Sequence, residues 1–126
     1  MPFDTRVKKV LLVDDEAGFS SLLAQMLRMD GYDVDTAVDG QEALDKLKTW
    51  KPDAIISDIM MPNVNGFELF EKVKSDVITK DIPFLFVTAY QDSEVLARAR
   101  KVGIFGILRK PIDLDQIERR LRELLR

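Results

Sequence analysis

The chain has 126 residues, 46% hydrophobic and 33% charged, with a formal net charge of −3; that is enough for one domain with its own core, and no basic face of the kind a nucleic-acid surface needs. It contains neither cysteine nor histidine, which removes disulfides, thiolate and imidazole metal ligands, an imidazole base and any phosphohistidine of its own. No apolar run approaches a membrane span and the N-terminus lacks a signal-peptide core, so the expectation is a cytoplasmic protein that binds neither membrane nor nucleic acid directly.

Residues 1–6 read as a flexible arm, with a single domain over residues 7–126. Val7 to Val13 ends in a continuous apolar run, the signature of a strand buried on both faces, and stops at Asp14-Asp15-Glu16. Phe19, Leu22, Leu23, Met26 and Leu27 then fall at helical spacing, with Gly31 where a C-terminal cap belongs. Tyr32 to Ala37 alternates, as in a half-exposed strand, and Asp39 with Glu42 opens a second helix carrying Ala43, Leu44 and Leu47. Asp53 to Asp58 is a third, nearly all-apolar strand. Asn65 with Glu68 caps a third helix whose inward stripe is Phe67, Phe70 and Val73. Ile82 to Val87 is a fourth strand ending at Thr88. A helix from about Asp92 follows, with Val95, Leu96, Ala99 and Val102 inward and Gly103 as its stop. Ile104 to Leu108 is a short fifth strand ending at Arg109-Lys110-Pro111. Asp113 and Gln116 cap a last helix with Leu114, Ile117, Leu121, Leu124 and Leu125 on one side.

Five strands alternating with five helices predict an α/β domain with a doubly wound parallel sheet. Strands one, three and four are apolar along their length and belong in the centre. Strand two alternates and strand five is short and broken by Gly106, so both belong at edges. Right-handed crossovers then give the order 2-1-3-4-5, a flavodoxin-like (βα)5 fold.

In such a sheet ligands bind beyond the carboxyl ends of the strands. Those ends carry Asp14 and Asp15, Asp58, Thr88 and Lys110. Two carboxylates about 5 Å apart at an effective dielectric near 20 repel by about 3 kcal/mol, and one lysine offsets only part of that. A hard divalent cation is the remedy, and oxygen-only donors point to Mg²⁺, which accepts phosphate as a co-ligand. Asp58, alone on a central strand, suits a nucleophile that forms an acyl phosphate; Thr88 and Lys110 suit the phosphoryl oxygens. Taken singly, Asp14 reads as a helix cap, Thr88 as an ordinary strand-end residue and Lys110 as a solvated lysine. Their joint occurrence at strand ends shifts the reading.

The residues Asp14-Asp15, Asp58 through Gly66, Thr88-Ala89 and Lys110-Pro111 stand in the order and at the intervals of a bacterial two-component response-regulator receiver domain, which the chain resembles from about Lys8 to the last helix. The resemblance implies that Asp58 accepts a phosphoryl group from a sensor histidine kinase or phosphotransfer protein. It also implies that Asp15, Asp58 and the Met60 backbone carbonyl bind Mg²⁺, with Asp14 acting through water. Thr88 and Lys110 would contact the phosphoryl oxygens. The output would be a changed surface on the fourth helix, fifth strand and fifth helix, read by a downstream protein or an output domain. The chain would not be an enzyme beyond its own phosphorylation and dephosphorylation.

The family often has an aromatic residue three positions before the lysine, where this chain has Ile107, and Phe105 on the same strand face is the expected substitute. A cis peptide before Pro111 is a further expectation. Phe105-Gly106 replaces a polar pair common in DNA-binding members, which points to a stand-alone regulator or the receiver of an unusual one. The alternatives are a Mg²⁺-dependent phosphatase working through an aspartyl phosphate, a receiver-like scaffold that is never phosphorylated, and a flavodoxin-like carrier. The phosphatase lacks its usual aspartate spacing, the scaffold sits ill with a complete site, and the carrier is at odds with an acidic first loop.

Overall fold

The computed structural model describes residues 6–61, 63–89, 93–101, 106–110 and 113–125. The chain alternates strand and helix throughout: β1 (Lys9–Val13), α1 (Ala17–Met29), β2 (Asp33–Ala37), α2 (Gly40–Leu47), β3 (Ala54–Ser57), α3 (Gly66–Ser75), β4 (Phe84–Thr88), α4 (Ser93–Lys101), β5 (Gly106–Arg109) and α5 (Leu114–Leu124). All strand pairs are parallel and the sheet order is β2-β1-β3-β4-β5. The expected flavodoxin-like topology is the observed one. Its cause is visible in the burial: β1, β3 and β4 are buried almost throughout, whereas the edge strands expose part of their length.

The sheet separates two cores. On one face Ile59, Phe67, Leu69, Phe70, Phe84 and Phe86 pack with Ala43 of α2 and Ala99 of α4. The aromatic rings meet edge to face, with Phe84 and Phe86 centroids 5.1 Å apart at 89° and Phe67 and Phe86 5.6 Å apart at 88°; such pairs each add about 0.5–1.5 kcal/mol beyond area burial. On the other face α1 and α5 cover the sheet with aliphatic residues, Leu23, Leu27, Ile117 and Leu121 against Val10, Leu12, Leu85 and Val87.

Local signals account for the helix ends. Asn65 and Glu68 form a complete capping box on α3. On α2 only half of it forms: Asp39 accepts from the Glu42 N–H at 2.8 Å, while the Glu42 carboxylate pairs with Lys46 at 3.5 Å. Gly31 follows the C-cap of α1 at φ +97°, a conformation glycine adopts without a Cβ penalty. Asp113 caps α5 through the Asp115 N–H at 3.0 Å instead of through Gln116.

Three expectations shift. The inward face of α1 is Ser20, Leu23, Ala24 and Leu27, and Leu22 is 58% exposed. An i, i+3, i+4, i+7 face admits small residues as readily as large ones, so close packing on the sheet selects Ser20 and Ala24 and turns Leu22 outward. β4 starts at Phe84 and includes Thr88, and β5 runs Gly106–Arg109. The arm at residues 1–5, the helix start at Asp92, the Val95 side chain, Val102, the Gly103 stop, Phe105 and the Pro111 peptide lie outside the described residues.

Candidate functional site

Register brings the site residues level. Val13 pairs with Ser57 across β1 and β3, and Thr88 with Arg109 across β4 and β5. The ladders run one step further: the Asp58 N–H donates to the Val13 carbonyl at 2.9 Å, Asp14 N–H to Ala37 at 3.0 Å and Lys110 N–H to Thr88 at 2.9 Å. Asp14, Asp58, Thr88 and Lys110 therefore share one rim of the sheet.

Asp58 is 7% exposed and Asp14 5% exposed. Asp58 Oδ1 accepts from the Ile59 N–H at 2.7 Å, and Asp14 Oδ1 from the Glu16 N–H at 2.8 Å. Their second oxygens face the Lys110 ammonium, Asp14 Oδ2 at 2.8 Å and Asp58 Oδ2 at 3.3 Å. A third carboxylate, Glu16 Oε1, reaches the same ammonium at 2.8 Å. The Phe19 ring lies beneath it, its centroid 4.3 Å from Nζ, a cation–π contact that fixes where the lysine ends.

The electrostatics follow. Burial pulls the Lys110 ammonium toward neutrality, but its hydrogen bonds to Asp14 and Glu16 and the charges of Asp58 and Asp14 outweigh that, and it is held well above the ordinary lysine range. Burial pushes the Asp14 carboxyl above its usual value, and Lys110 and the Glu16 N–H offset only part of the rise.

A cation fits this donor set. Oxygens of Asp14, Glu16 and Asp58 lie within 4.8 Å of one another, an all-oxygen arrangement suited to a hard ion, and the protein's own ammonium stands among them. Asp15 is exposed and lies outside this group, at the strand end where successive side chains point to opposite sides. Met60 sits two residues past Asp58 with its side chain half exposed. Thr88 is 1% exposed at the end of β4. Glu16 is the site residue that sequence reasoning passed over. Its signal was present, an acid directly following an acidic pair, but its reach to a lysine 94 positions away was not.

The loop from β3 to α3 is held close to Asp58 by backbone. The Gly66 N–H donates to the Ile59 carbonyl at 2.8 Å, and a Cβ on Gly66 would stand 2.3 Å from the Asp58 carbonyl oxygen. Asn63, at φ +63°, donates from its amide to Asp39 Oδ2 at 2.9 Å, tying the loop to the start of α2.

Comparison with known proteins agrees with this geometry. Residues 10–122 match the family model of the response regulator receiver domain. The chain is 40% identical over 119 residues to the transcriptional regulatory protein TrcR of Mycobacterium tuberculosis, covering 94% of this chain and 45% of TrcR. It is 34% identical over 115 residues to the transcriptional regulatory protein CrdR of Helicobacter pylori, covering 91% of this chain and 54% of CrdR. The chain thus spans about half the length of the curated relatives it matches. Among solved structures, the chemotaxis protein CheY4 of Vibrio cholerae superposes with a TM-score of 0.88 at 35% identity, covering 95% of this chain and all of that one. Among the described residues no helix is long and apolar enough to cross a membrane. Topology, strand-end chemistry and sequence similarity converge, and the chain belongs to the response-regulator receiver domains of two-component signalling systems.

Proposed function

We propose that Asp58 is the phosphoacceptor of a cytoplasmic signalling switch, charged by a sensor histidine kinase or a phosphotransfer protein. The observation that carries this reading is the unequal use of the Asp58 carboxylate. Oδ1 is fixed by the Ile59 N–H at 2.7 Å, whereas Oδ2 meets Lys110 only at 3.3 Å. Oδ2 is the freer oxygen and faces the rim, so its lone pair forms the new bond to phosphorus while the donor's bond to phosphorus breaks and the donor leaves with that electron pair. Lys110 and Thr88, at the ends of the neighbouring strands, would serve the transferred oxygens with a positive charge and a hydroxyl donor that favour the transition state.

Asp58 and the Met60 carbonyl would hold Mg²⁺, with Asp14 contributing through water and the exposed Asp15 turning inward to join them; the bound ion would neutralise phosphoryl charge. The phosphorylated domain would then present a changed α4–β5–α5 surface to a downstream protein or to an output domain such as the extra length of its relatives supplies. To act as a switch, the phosphoryl group must favour one conformer by a few kcal/mol, within reach of two or three charge-assisted contacts. The domain catalyses nothing beyond its own phosphorylation and dephosphorylation.

The test is incubation with Mg²⁺ and acetyl phosphate, read by intact mass. One hydroxylamine-labile phosphoryl group is expected, and its loss in Asp58→Asn. Label that persists in Asp58→Asn would move the nucleophile elsewhere.

A further inference from the structure

An ammonium has three N–H donors, and Lys110 has three carboxylate acceptors: Asp14 Oδ2 at 2.8 Å, Glu16 Oε1 at 2.8 Å and Asp58 Oδ2 at 3.3 Å. Its donors are already matched one for one. Asp58 Oδ2 gives up its own donor, the longest of the three contacts, as it bonds to phosphorus; a second phosphoryl oxygen reaches the ammonium only if another contact opens.

The two others are not equally easy to open. The Asp14 side chain is 6% exposed and is also held through its other oxygen by a backbone N–H. The Glu16 side chain is 60% exposed, so water takes over its carboxylate as soon as the lysine lets go. The Lys110 side chain, 8% exposed and with its ammonium seated over Phe19, has little freedom to withdraw. Resting on the assignment of Asp58 as phosphoacceptor, we infer that Glu16 is a releasable clamp: it occupies the Lys110 donor that the phosphoryl group uses, and so slows the loading of Asp58 in the resting state.

The clamp acts through Lys110 and touches no reacting atom, which makes Glu16 a positioning residue. Its contribution is that of an ion pair with one solvent-exposed partner, and such pairs correspond to about two- to fivefold in a rate or equilibrium. Two variants separate its contact from its charge. Glu16→Gln removes the charge and leaves a neutral side chain of the same length. Glu16→Asp keeps the charge but is one methylene shorter and falls short of Nζ.

The experiment measures the pseudo-first-order rate of Asp58 phosphorylation by acetyl phosphate at saturating Mg²⁺, and the rate of phosphoryl loss after the donor is removed. Both variants are expected to load about two- to fivefold faster than the wild type, with phosphoryl loss changing less than loading, because Glu16 has already released Lys110 once the phosphoryl group is in place. Faster loading in Glu16→Gln alone would assign the effect to net charge and overturn the clamp. Unchanged or slower loading in both variants would also overturn it, and a raised Mg²⁺ requirement would place Glu16 on the metal instead. A wild type that takes no phosphoryl group overturns the proposed function along with the clamp, whereas a wild type that loads normally beside indifferent variants overturns the clamp only.

Discussion

The ends of β3 and β5 meet at one rim but are held there by different physics. Asp58 leaves a central strand with covered neighbours on both sides, and its loop is pinned by the Gly66 N–H, with Ile59 in the same buried cluster as Phe67, Phe84 and Phe86. Lys110 leaves an edge strand whose burial is partial; its side chain is placed by three carboxylates and one ring. Packing is insensitive to ions and to small changes of charge, whereas charge balance responds to both. The proposed function would use this division. A group that accepts phosphate would have to stay in one geometry, and a group that reports its charge would have to be able to change partners.

The largest expected effect comes from the packed side. Gly66→Ala forces a Cβ against the Asp58 carbonyl oxygen, 2.3 Å away, with the Ile59 Cα at 2.8 Å; backbone on both sides can yield only by moving the loop. A loss of about 3 kcal/mol in urea unfolding is expected, the upper end for an overpacked site, and added Mg²⁺ should recover little of it. A loss well under 1 kcal/mol would mean the loop is not pinned as described.

Lys110→Met tests the charged side. It leaves Asp14 and Asp58 buried beside each other without a counter-ion, at about 2–3 kcal/mol, less than for a fully enclosed pair because Glu16 opens the site to water. Unlike the glycine variant, this one should regain much of its stability when Mg²⁺ is added, since a cation can replace the ammonium. Equal Mg²⁺ responses from the two variants would erase the contrast between the two strand ends.

The smallest effect tests the tie between the β3–α3 loop and α2. Asp39→Ala removes the cap of α2 and the partner of Asn63, and should lower stability by about 1 kcal/mol at neutral pH. The Glu42 N–H, with the Asn63 amide, holds the Asp39 carboxyl below its usual value. Its contribution is therefore complete above the unfolded carboxyl value of about 4 and fades as the pH falls through the lower folded value. The wild type and Asp39→Ala should draw together below about pH 4 in thermal melts; a gap that widens there would reverse the sign.

Much of this was legible in the order of residues. Apolar runs ending at Val13, Ile56 and Val87 marked the central strands, because a strand covered on both faces has no polar position to spare. Ending those runs on Asp14, Asp58 and Thr88, with Lys110 at the next strand end, marked the rim. Helix faces were less legible. Leu22 reads as inward by type and points outward, while Ser20 and Ala24 pack inside, since close packing on the sheet selects for size as well as polarity. The three adjacent acids were least legible of all.

What the sequence by itself determined, then, was the topology and the chemical kinds gathered at the rim, because both follow from the one-dimensional placement of apolar runs and their stops. Which of three consecutive acids turns inward, and which lysine donor each one occupies, was decided only by tertiary structure. Neighbouring residues at a strand end point opposite ways, and only the register of β1 against β2 and β3 sets Asp14 beside Asp58, leaves Asp15 in water and lets Glu16 reach across to Lys110.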